Sequence, residues 1–349
     1  MKKTPIYFLL VMFAFSLQSC KNDSNKEVRF LTFNVWQEGT SVPNGLLKIR
    51  NVITKTNPDI VCFVEVRNYK EQDWTTKIVT KLEKEGRKYY RGYAGGDVSF
   101  ISKYPLSNGK LIFGNEDKGT VVNFDVLIGR KTIVVSGAHL DYTYYASNLP
   151  RGYNGGTPNW RMIDNGHGKP LPTTDLDSLK VYNLKSTRDE AIAAFLASVD
   201  SSLKPVILMG DFNEPSWLDW TKKTKNMFNH SGVIFPWNST KSLAEKGFID
   251  SYRKMHPNEI THPGFTWPAN ANEKKSTSWT PLADERDRID FIFYKGKGME
   301  LKNATLVGSK ELYIHNKLAK PTTDQEKIIA TDLPWPSDHR AVLATFLIK

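Results

Sequence analysis

Residues 206–213 end in two polar side chains that could carry out chemistry, Asp211 and Asn213. Four apolar residues rich in β-formers precede Gly210, a pattern typical of a buried strand that runs into a turn. Side chains at i and i+2 of an extended segment point to the same face, so we expect Asp211 and Asn213 to project together. The carboxylate could bind a hard cation or move a proton, and the amide could hold a phosphoryl oxygen without adding charge. The alternative is an Asx turn that only closes the strand.

Polar side chains stand at the ends of other predicted strands as well. Glu65 is embedded in the apolar run 59–66, and a glutamate is rarely buried unless it is paired or bound to a metal. Arg67 follows and could contact a phosphate through two guanidinium nitrogens. His139 ends a strand beside Asp141, which suits proton transfer, although a lone histidine is more often structural. The remaining candidates occupy the same kind of position: Asn34, Asp290, Asp338 and His339.

The elements that would position these residues alternate between strands and helices. Helices are predicted at 46–57, 73–85 and 183–198, and strands at 28–36, 59–66, 98–106, 121–128, 132–138, 205–210, 290–294 and 341–348. The strands 98–106 and 121–128 are predicted to be paired, with a turn at 129–131. Residues 143–182 are predicted to form one long loop that contacts substrate. No linker divides the strands, which favours a single domain.

The composition limits the partners that the chain could have. Its 349 residues carry a formal net charge of +11, which favours polyanions such as nucleic acid, anionic lipid or phosphorylated small molecules. The hydrophobic fraction of 40% is ordinary for a globular protein. The two cysteines, Cys20 and Cys62, predict neither a disulfide framework nor a thiolate metal site.

The N-terminus has the composition of an export signal. Lys2 and Lys3 precede the apolar residues 6–15, and the sequence Leu-Gln-Ser-Cys that ends at Cys20 resembles a bacterial lipobox. The resemblance implies cleavage before Cys20 and lipid attachment to it. Residues 1–20 would be the signal peptide, 21–27 a flexible tether and 28–349 the folded domain. We therefore expect an exported lipoprotein, periplasmic or on the cell surface, anchored in the membrane. An ordinary secretory signal with an incidental cysteine is the alternative.

Five short motifs, in this order, resemble the endonuclease/exonuclease/phosphatase superfamily, to which deoxyribonuclease I, bacterial neutral sphingomyelinases and inositol polyphosphate 5-phosphatases belong. The resemblance covers nearly all of the chain after the signal and implies that 28–349 is a catalytic domain. It also implies the fold class, a four-layered α/β/β/α sandwich of two mixed β-sheets. The motifs are Phe33-Asn34-Val35, Val64-Glu65-Val66-Arg67, Ala138-His139-Leu140, Gly210-Asp211-Phe212-Asn213, and Arg288-Ile289-Asp290 with Ser337-Asp338-His339.

The same resemblance implies a cation site and a phosphate contact. Glu65 would be the main ligand of a Mg²⁺ ion, with Asn34 and Asp338 close by, and Mn²⁺ would be an alternative ion. Arg67 would contact the substrate phosphate. Hard oxygen ligands suit Mg²⁺, and a divalent ion would neutralise the charge that protects a phosphodiester from nucleophiles.

The resemblance further implies roles in proton transfer. His339 would take a proton from the attacking water and would be oriented by Asp290. Asp211 and Asn213 would align water and phosphate, and His139 would stabilise or protonate the phosphate side of the reaction. An aspartate beside a histidine raises the basicity of the imidazole, so the residue types suit this chemistry independently of the resemblance.

The sequence leaves the substrate open. One hypothesis is a secreted metal-dependent nuclease, motivated by the basic charge. A second keeps the chemistry but acts on a phospholipid, a sphingolipid or a soluble phosphoester, because the lipid anchor and the aromatic residues at Trp160 and at 265–267 suit a membrane interface. A third is a binding lipoprotein without turnover. No obligate protein partner is indicated.

Overall fold

Strands and helices are interspersed along the whole chain. The computed structural model describes residues 25–114, 118–156, 160–271, 278–321 and 323–349, so the predicted signal segment with Cys20 lies outside the described residues. No helix in those ranges is both long enough and apolar enough to cross a membrane. In chain order the elements are β1 (Lys26–Asn34), α1 (Gly45–Thr56), β2 (Ile60–Val64), α2 (Trp74–Glu83), β3 (Tyr90–Tyr93), β4 (Val98–Ser102), β5 (Leu106–Gly114), β6 (Gly119–Ile128), β7 (Lys131–Leu140), α3 (Leu176–Asn183), α4 (Arg188–Val199), β8 (Val206–Asp211), α5 (Asn238–Glu245), β9 (Ile249–Asp250), α6 (Ser251–Met255), β10 (Asp290–Lys295), β11 (Met299–Val307), β12 (Leu312–Ile314), β13 (Lys317–Ala319), β14 (Ile328–Ile329) and β15 (Ala341–Ile348).

The strands form two large mixed sheets. The first has the order β14-β11-β15-β1-β2-β4-β3, and the second has the order β5-β6-β7-β8-β10-β9. In the first sheet β1 lies parallel to β2 and antiparallel to β15. In the second sheet β8 lies parallel to β7 and antiparallel to β10. Strands β12 and β13 form a separate hairpin. The prediction of two mixed sheets is confirmed.

Three apolar layers hold the sheets and helices together. The central layer lies between the two sheets, where Phe30 and Phe100 of the first sheet meet Phe124 and Met209 of the second. A second layer joins the outer face of the first sheet to α1 and α2. A third joins the outer face of the second sheet to α4 and α5. Burial of these side chains on both faces of each sheet produces the predicted α/β/β/α sandwich.

The alternation of side chains along the strands carries polar residues into the space between the sheets. In β8, Ile207 and Met209 point into the central layer, so Asp211 at the end of the strand points the same way. The same two-residue period holds in three other strands. It places Asn34 beyond Val28 and Phe30, His139 beyond Ile133 and Val135, and Asp290 before Ile292 and Tyr294.

Close approach of β7 and β8 depends on a glycine. Gly210 has φ +150°, and a Cβ there would lie 1.8 Å from the carbonyl oxygen of Ala138. The missing side chain lets the parallel pair keep a register in which His139 lies opposite Asp211. The glycine that the sequence suggested as a turn residue therefore lies inside the strand and sets the spacing of two site residues.

Two strand predictions were wrong. The first strand starts at Lys26, which pairs with Ile348, so the last residues of the predicted tether belong to the sheet. The segments 98–106 and 121–128 are not partners, because β4 belongs to the first sheet and β6 pairs with β5 and β7 in the second. The sequence concealed β5 because it is an edge strand whose residues are mostly exposed and show no regular alternation of apolar and polar side chains.

The predictions for residues 143–198 also need correction. The expected loop contains a helical turn, Ala146–Asn148, and its last part is α3, whose first turn is capped by the Asp175 carboxylate accepting from the Ser178 N–H at 2.8 Å. The next helix starts at Arg188 instead of residue 183. The backbone breaks between the two helices, where the Thr187 N–H donates to Asp141 Oδ2 at 3.0 Å.

Candidate active site

The predicted site residues converge on one cavity at the end of the two sheets. Its volume is about 260 Å³, and Asn34 and Asp290 contact its lining residues through hydrogen bonds. Residues that lie far apart in sequence meet here because strands β1, β7 and β8 end, and β10 begins, on the same side. The predicted residues that line the cavity are Glu65, Arg67, His139, Asp211, Asn213, Asp338 and His339.

Asn34 joins the two sheets at the base of the cavity. Its amide nitrogen donates to Glu65 Oε1 and to Asp211 Oδ2, each at 3.0 Å. Its amide oxygen accepts from the Trp36 N–H at 2.9 Å, which fixes the orientation of the amide. Asn34 therefore orients two carboxylates. The sequence predicted that Asn34 would offer an oxygen to the cation, but the atom that faces the two carboxylates is its amide nitrogen.

Glu65 lies one residue beyond β2, so its predicted place inside the strand was wrong. The residue has φ +65° and is half-buried. This left-handed backbone lifts its carboxylate out of the pleat and towards the cavity. Glu65 Oε2 accepts from the Gln37 N–H at 2.8 Å.

The backbone that supplies this N–H is itself strained. Trp36, Gln37 and Glu38 follow one another at φ 45°, 55° and 61°, and we refer to them as the left-handed turn. Each non-glycine residue in this region costs on the order of 1–3 kcal/mol, and such residues persist only where their surroundings hold them. The Glu38 N–H donates to the Glu65 carbonyl at 3.1 Å, and the Glu38 carbonyl accepts from Trp74 Nε1 at 3.1 Å.

His339 and Asp290 form the predicted acid–base pair. His339 Nδ1 lies 2.9 Å from Asp290 Oδ2, and its Nε2 lies 3.7 Å from Asp211 Oδ2. Burial opposes the charged imidazole, but Asp290 and Asp211 outweigh it and raise the pKa of His339 well above its usual range. The pair leaves Nε2 directed at the cavity, which suits exchange of a proton with a bound water.

Asp211 also closes its strand. Its Oδ1 accepts from the Asn213 N–H at 2.9 Å, so the Asx turn that the sequence offered as the alternative is present. The strand ends at Asp211 and Asn213 has φ +47°, so the two side chains do not project as an extended i, i+2 pair. Both line the cavity, and Asn213 Nδ2 donates to the Leu140 carbonyl at 2.9 Å.

The acid that pairs with His139 is Asp97, not the neighbouring Asp141. His139 Nδ1 lies 2.6 Å from Asp97 Oδ2, whereas Asp141 accepts from the Thr143 and Thr187 N–H groups. Burial opposes a charged imidazole, but Asp97 raises the pKa of His139 to about 9. His139 is therefore protonated at neutral pH and presents a positive charge to the cavity. The sequence signal for Asp97 was weak, because it follows Gly95-Gly96 in a segment that resembles an ordinary turn.

The pH dependence of turnover should reveal this pair. Replacing Asp97 with asparagine removes the main group that favours the protonated His139, so the pKa of His139 should fall. Asp211 and Glu65 also face the imidazole and would limit the fall. We expect the alkaline limb of the pH profile of kcat/KM to move to lower pH. The matched control is Asp141→Asn, which should leave the alkaline limb in place. If the limb does not move in Asp97→Asn, then His139 is not the group whose titration produces it.

The donor set around Asp338 fits a divalent cation. Burial, reinforced by Glu65 and Asp211, raises the pKa of Asp338 to about 7, and its Oδ1 has no hydrogen-bond partner among the described residues. Burial also raises the pKa of Asp211 to about 6, although His339 opposes this shift. Buried carboxylates that repel one another, with an unpaired oxygen, are the arrangement that a hard cation would stabilise.

A second arrangement of ligands is present in the same place. Ligand atoms of Asp211, Asp290 and His339 lie within 4.8 Å of one another. A cation held by all three would engage His339 and Asp290, which already form a pair at 2.9 Å. We therefore favour Glu65 and Asp338 as the ligands of the cation. Asp211 could contribute an oxygen to either arrangement.

Aromatic side chains that the sequence assigned to a membrane interface lie in or beside the cavity. Phe265 and Trp267 are only 6% and 4% exposed, so neither can insert into a bilayer. Trp267 lines the cavity together with Tyr145 and Trp279. The membrane interpretation of residues 265–267 was therefore wrong, while the prediction that the insertion reaches the substrate side is supported by Tyr145.

A buried ion pair supports this side of the cavity. Arg151 donates from Nη1 to Asp287 Oδ2 at 2.7 Å and from Nη2 to Asp287 Oδ1 at 3.0 Å, and both side chains are almost fully buried. The same carboxylate accepts from the Tyr145 hydroxyl at 2.9 Å. Removing either member of a buried ion pair is costly, because the other charge then remains buried without a partner.

Breaking that pair should be strongly destabilising. We expect Arg151→Met to lower the free energy of unfolding by about 3–5 kcal/mol, because Asp287 would remain buried without its cation. The matched control is Lys55→Met, since the pair of Lys55 with Asp332 is exposed and should contribute at most about 1 kcal/mol. Urea unfolding of the three proteins provides the measurement. Equal losses in both variants would contradict this account.

The family comparison agrees with this geometry. The profile of the Endonuclease/Exonuclease/phosphatase family matches residues 31–339. An uncharacterized protein of Caenorhabditis elegans, F14F9.5, is 27% identical over 345 residues, which cover 98% of this chain and 98% of that protein.

Solved structures with low sequence identity share the fold. An endonuclease/exonuclease/phosphatase family protein from Leptotrichia buccalis has a TM-score of 0.52 and 15% identity, with 91% of this chain and 99% of that chain covered. Truncated Caenorhabditis elegans TDP2 has a TM-score of 0.51 and 16% identity, covering 92% and 97%. The human Nocturnin catalytic domain, solved with a bound sulfate anion, has a TM-score of 0.50 and 12% identity, covering 93% and 94%.

Proposed function

The chain belongs to the endonuclease/exonuclease/phosphatase family, whose members are phosphoester hydrolases, and from that premise we propose that it is a metal-dependent phosphodiester hydrolase. The observation that carries the proposal is the His339–Asp290 pair at 2.9 Å, directed into a cavity that also contains the unpaired carboxylate oxygen of Asp338. A base, a cation site and a protonated histidine in one small cavity are the parts that direct attack of water on phosphorus requires.

The side chains divide the reaction between them. Because Asp290 and Asp211 raise the pKa of His339, only the fraction of the protein with a neutral His339 is active: in that form Nε2 accepts the proton of the attacking water, while Asp290 holds Nδ1 and stabilises the resulting imidazolium. Asp211, 3.7 Å from that Nε2, accepts a hydrogen bond from the same water and limits its orientation. Protonated His139 faces the phosphate and donates to an oxygen that gains charge as the ester bond breaks. Arg67 at the rim contacts the remaining phosphate oxygens.

A divalent ion completes the site. Glu65 and Asp338 would hold it, and Asn34 fixes the Glu65 carboxylate for that purpose. When bound, such an ion would neutralise charge on the phosphate and stabilise the negative charge on the leaving oxygen. We propose Mg²⁺, with Mn²⁺ as a substitute, because the available ligands are carboxylate oxygens.

Nucleic-acid-type phosphodiesters are the substrate class we favour. The net charge of +11 suits a polyanion, and the buried positions of Phe265 and Trp267 weaken the argument for a lipid-surface enzyme, which then depends on Trp160 and the proposed anchor. Cleavage of a polymer held through its phosphates should weaken steeply as salt is added, whereas cleavage of a small diester should not.

A substrate panel tests the function. The purified protein would be incubated with single-stranded DNA, RNA, sphingomyelin vesicles and bis(4-nitrophenyl) phosphate, with Mg²⁺, with Mn²⁺ or with a chelator. We expect hydrolysis of at least one phosphodiester that stops on chelation and returns with added Mg²⁺. Turnover that survives the chelator would overturn the metal dependence, and no turnover of any diester would favour a binding protein.

We also propose that the protein is exported and lipid-anchored at Cys20. The support is the sequence of residues 1–20 alone. Metabolic labelling with palmitate should mark the wild type and not Cys20→Ser. Equal labelling, or none in either, would leave an ordinary secretory signal as the interpretation.

A further inference from the structure

Four aromatic rings form a continuous surface on one side of the cavity, and we refer to them as the aromatic wall. Trp160 stacks on Trp279 with centroids 4.5 Å apart and 21° between the ring planes. Trp267 lies 5.3 Å from Trp279, and Tyr145 lies 6.4 Å from Trp267 and 6.1 Å from Trp160. Tyr145, Trp267 and Trp279 line the same cavity as Asp211 and His339.

The wall is held in place from behind by one short segment. The Tyr145 hydroxyl donates to Asp287, and the backbone N–H and carbonyl of Trp267 bond to those of Asp287 at 3.1 and 3.0 Å. The Trp279 N–H donates to Glu285 Oε2 at 3.0 Å. Since the rings are fixed through polar groups outside the cavity, they need not rearrange to receive a ligand.

Packing alone does not account for the wall. Aromatic clusters in this protein are usually closed, as in the pair Trp220 and Trp237, which are 1% and 0% exposed. In contrast, Trp160 and Trp279 are only half-buried, and Trp279 borders the open cavity. Large apolar rings that stay partly exposed beside convergent polar groups are typical of a ligand-binding surface.

The size of the cavity limits what the wall can receive. A cavity of about 150 Å³ is enough for benzene in a protein interior, so about 260 Å³ accommodates one flat ring and a phosphate. A long acyl chain would need a longer apolar groove. The polar half of the lining, with His139 and Arg67, is occupied by the phosphate in the proposed reaction, which leaves the ring on the side of the wall.

We propose, on the basis of the proposed function, that the substrate is a phosphodiester in which one ester group carries a flat aromatic ring, and that this ring stacks on the aromatic wall. A nucleobase at the end of a nucleic acid and the base of a free nucleotide both have this chemistry. Stacking of a base on an aromatic side chain adds about tenfold or more to affinity and tolerates different bases.

Binding of phosphate monoesters tests the wall without requiring turnover. Phenyl phosphate, cyclohexyl phosphate and methyl phosphate carry the same charged group and differ in the ring, and their binding can be followed by tryptophan fluorescence and by competition in the hydrolysis assay. We expect phenyl phosphate to bind about tenfold more tightly than methyl phosphate, and more tightly than cyclohexyl phosphate. Trp279→Ala should remove most of this preference, and Trp279→Phe should keep part of it.

Controls separate the wall from the fold and from the chemistry. Tyr90→Ala removes an exposed aromatic residue of β3, away from the cavity, and should leave the preference intact. Equal binding of the three monoesters to a protein that hydrolyses diesters would overturn the inference alone. Absence of hydrolysis of every diester would overturn the proposed function whatever the wall binds. Should Trp279→Ala fail to fold, Trp279→Phe and the three-ester comparison on the wild type still decide the question.

A further pair of ligands distinguishes the two possible sources of the ring, the end of a nucleic acid and a free nucleotide. Thymidine 5′-monophosphate and a short 5′-phosphorylated oligothymidylate have the same terminal nucleotide. Equal affinities would mean that a single nucleotide fills the cavity, and tighter binding of the oligonucleotide would assign the ring to a nucleic-acid end. Binding of both no tighter than methyl phosphate would contradict the inference.

Discussion

Replacing His339 with alanine is expected to lower kcat by about 10²–10⁴-fold, the usual contribution of a positioned general base. The imidazole is fixed by Asp290 at 2.9 Å and its other nitrogen lies 3.7 Å from Asp211, so its position and orientation are set before substrate binds. Because binding of substrate does not use this group, KM should change much less than kcat. Steady-state kinetics on a chromogenic diester provide the measurement.

The matched control for this substitution is His167→Ala. His167 is exposed in the insertion and takes no part in the site, so its loss should leave kcat unchanged. A second variant, Asp290→Asn, keeps the hydrogen bond but loses the charge that stabilises the imidazolium, and it should fall between His339→Ala and the wild type. Retention of more than a tenth of the wild-type kcat in His339→Ala would mean that another group takes the proton.

Glu65→Gln is expected to have the second large effect. It removes one negative charge from the proposed cation site, and its single amide oxygen can still accept one of the two hydrogen bonds, from the Gln37 N–H or from Asn34 Nδ2. A bound divalent ion contributes several kcal/mol to a phosphoryl-transfer transition state, so kcat/KM at limiting Mg²⁺ should fall by about 10³-fold. Raised Mg²⁺ should recover part of the loss, because the defect is in affinity for the ion.

Titration of Mg²⁺ or Mn²⁺ by calorimetry checks the cause directly. Glu65→Gln should bind the ion more weakly, while Glu71→Gln, an exposed acid that follows in the chain, should bind it like the wild type. An unchanged ion affinity in Glu65→Gln would shift the cation to Asp211, Asp290 and His339, the other arrangement that the cavity offers.

Most of the site could be predicted because its residues follow the alternation of strands. Asn34, His139, Asp211 and Asp290 occupy the inward positions of strands whose other inward residues are mostly apolar, so a polar residue there is visible in the sequence. The family resemblance supplied the order in which they meet. The assignment of each strand to its sheet could not be predicted, because nothing local in the sequence distinguishes a neighbour of β4 from a neighbour of β6.

The residues that were missed share a physical reason. Asp97 and His139 are 42 positions apart, and Asp97 directly precedes β4 of the first sheet while His139 lies in β7 of the second, so the ion pair exists only after the two sheets pack. The wall residues Tyr145 and Trp279 come from irregular segments that are held by the buried carboxylates of Asp287 and Glu285. Irregular backbone has no period that could reveal which side chains it brings together.

The left-handed turn means that selection for rate and selection for heat resistance should act on this protein in opposite directions. Glycine adopts this backbone without the steric penalty that the exposed Gln37 bears, so variants enriched only for survival at high temperature should acquire glycine at position 37, whereas Trp36 and Glu38 are buried and would lose their packing. In such variants the backbone N–H of residue 37 would be held less firmly against the Glu65 carboxylate, to which it donates a hydrogen bond. An evolutionary record that keeps a side chain at position 37 would then be evidence of catalytic demand, since folding alone would favour glycine there.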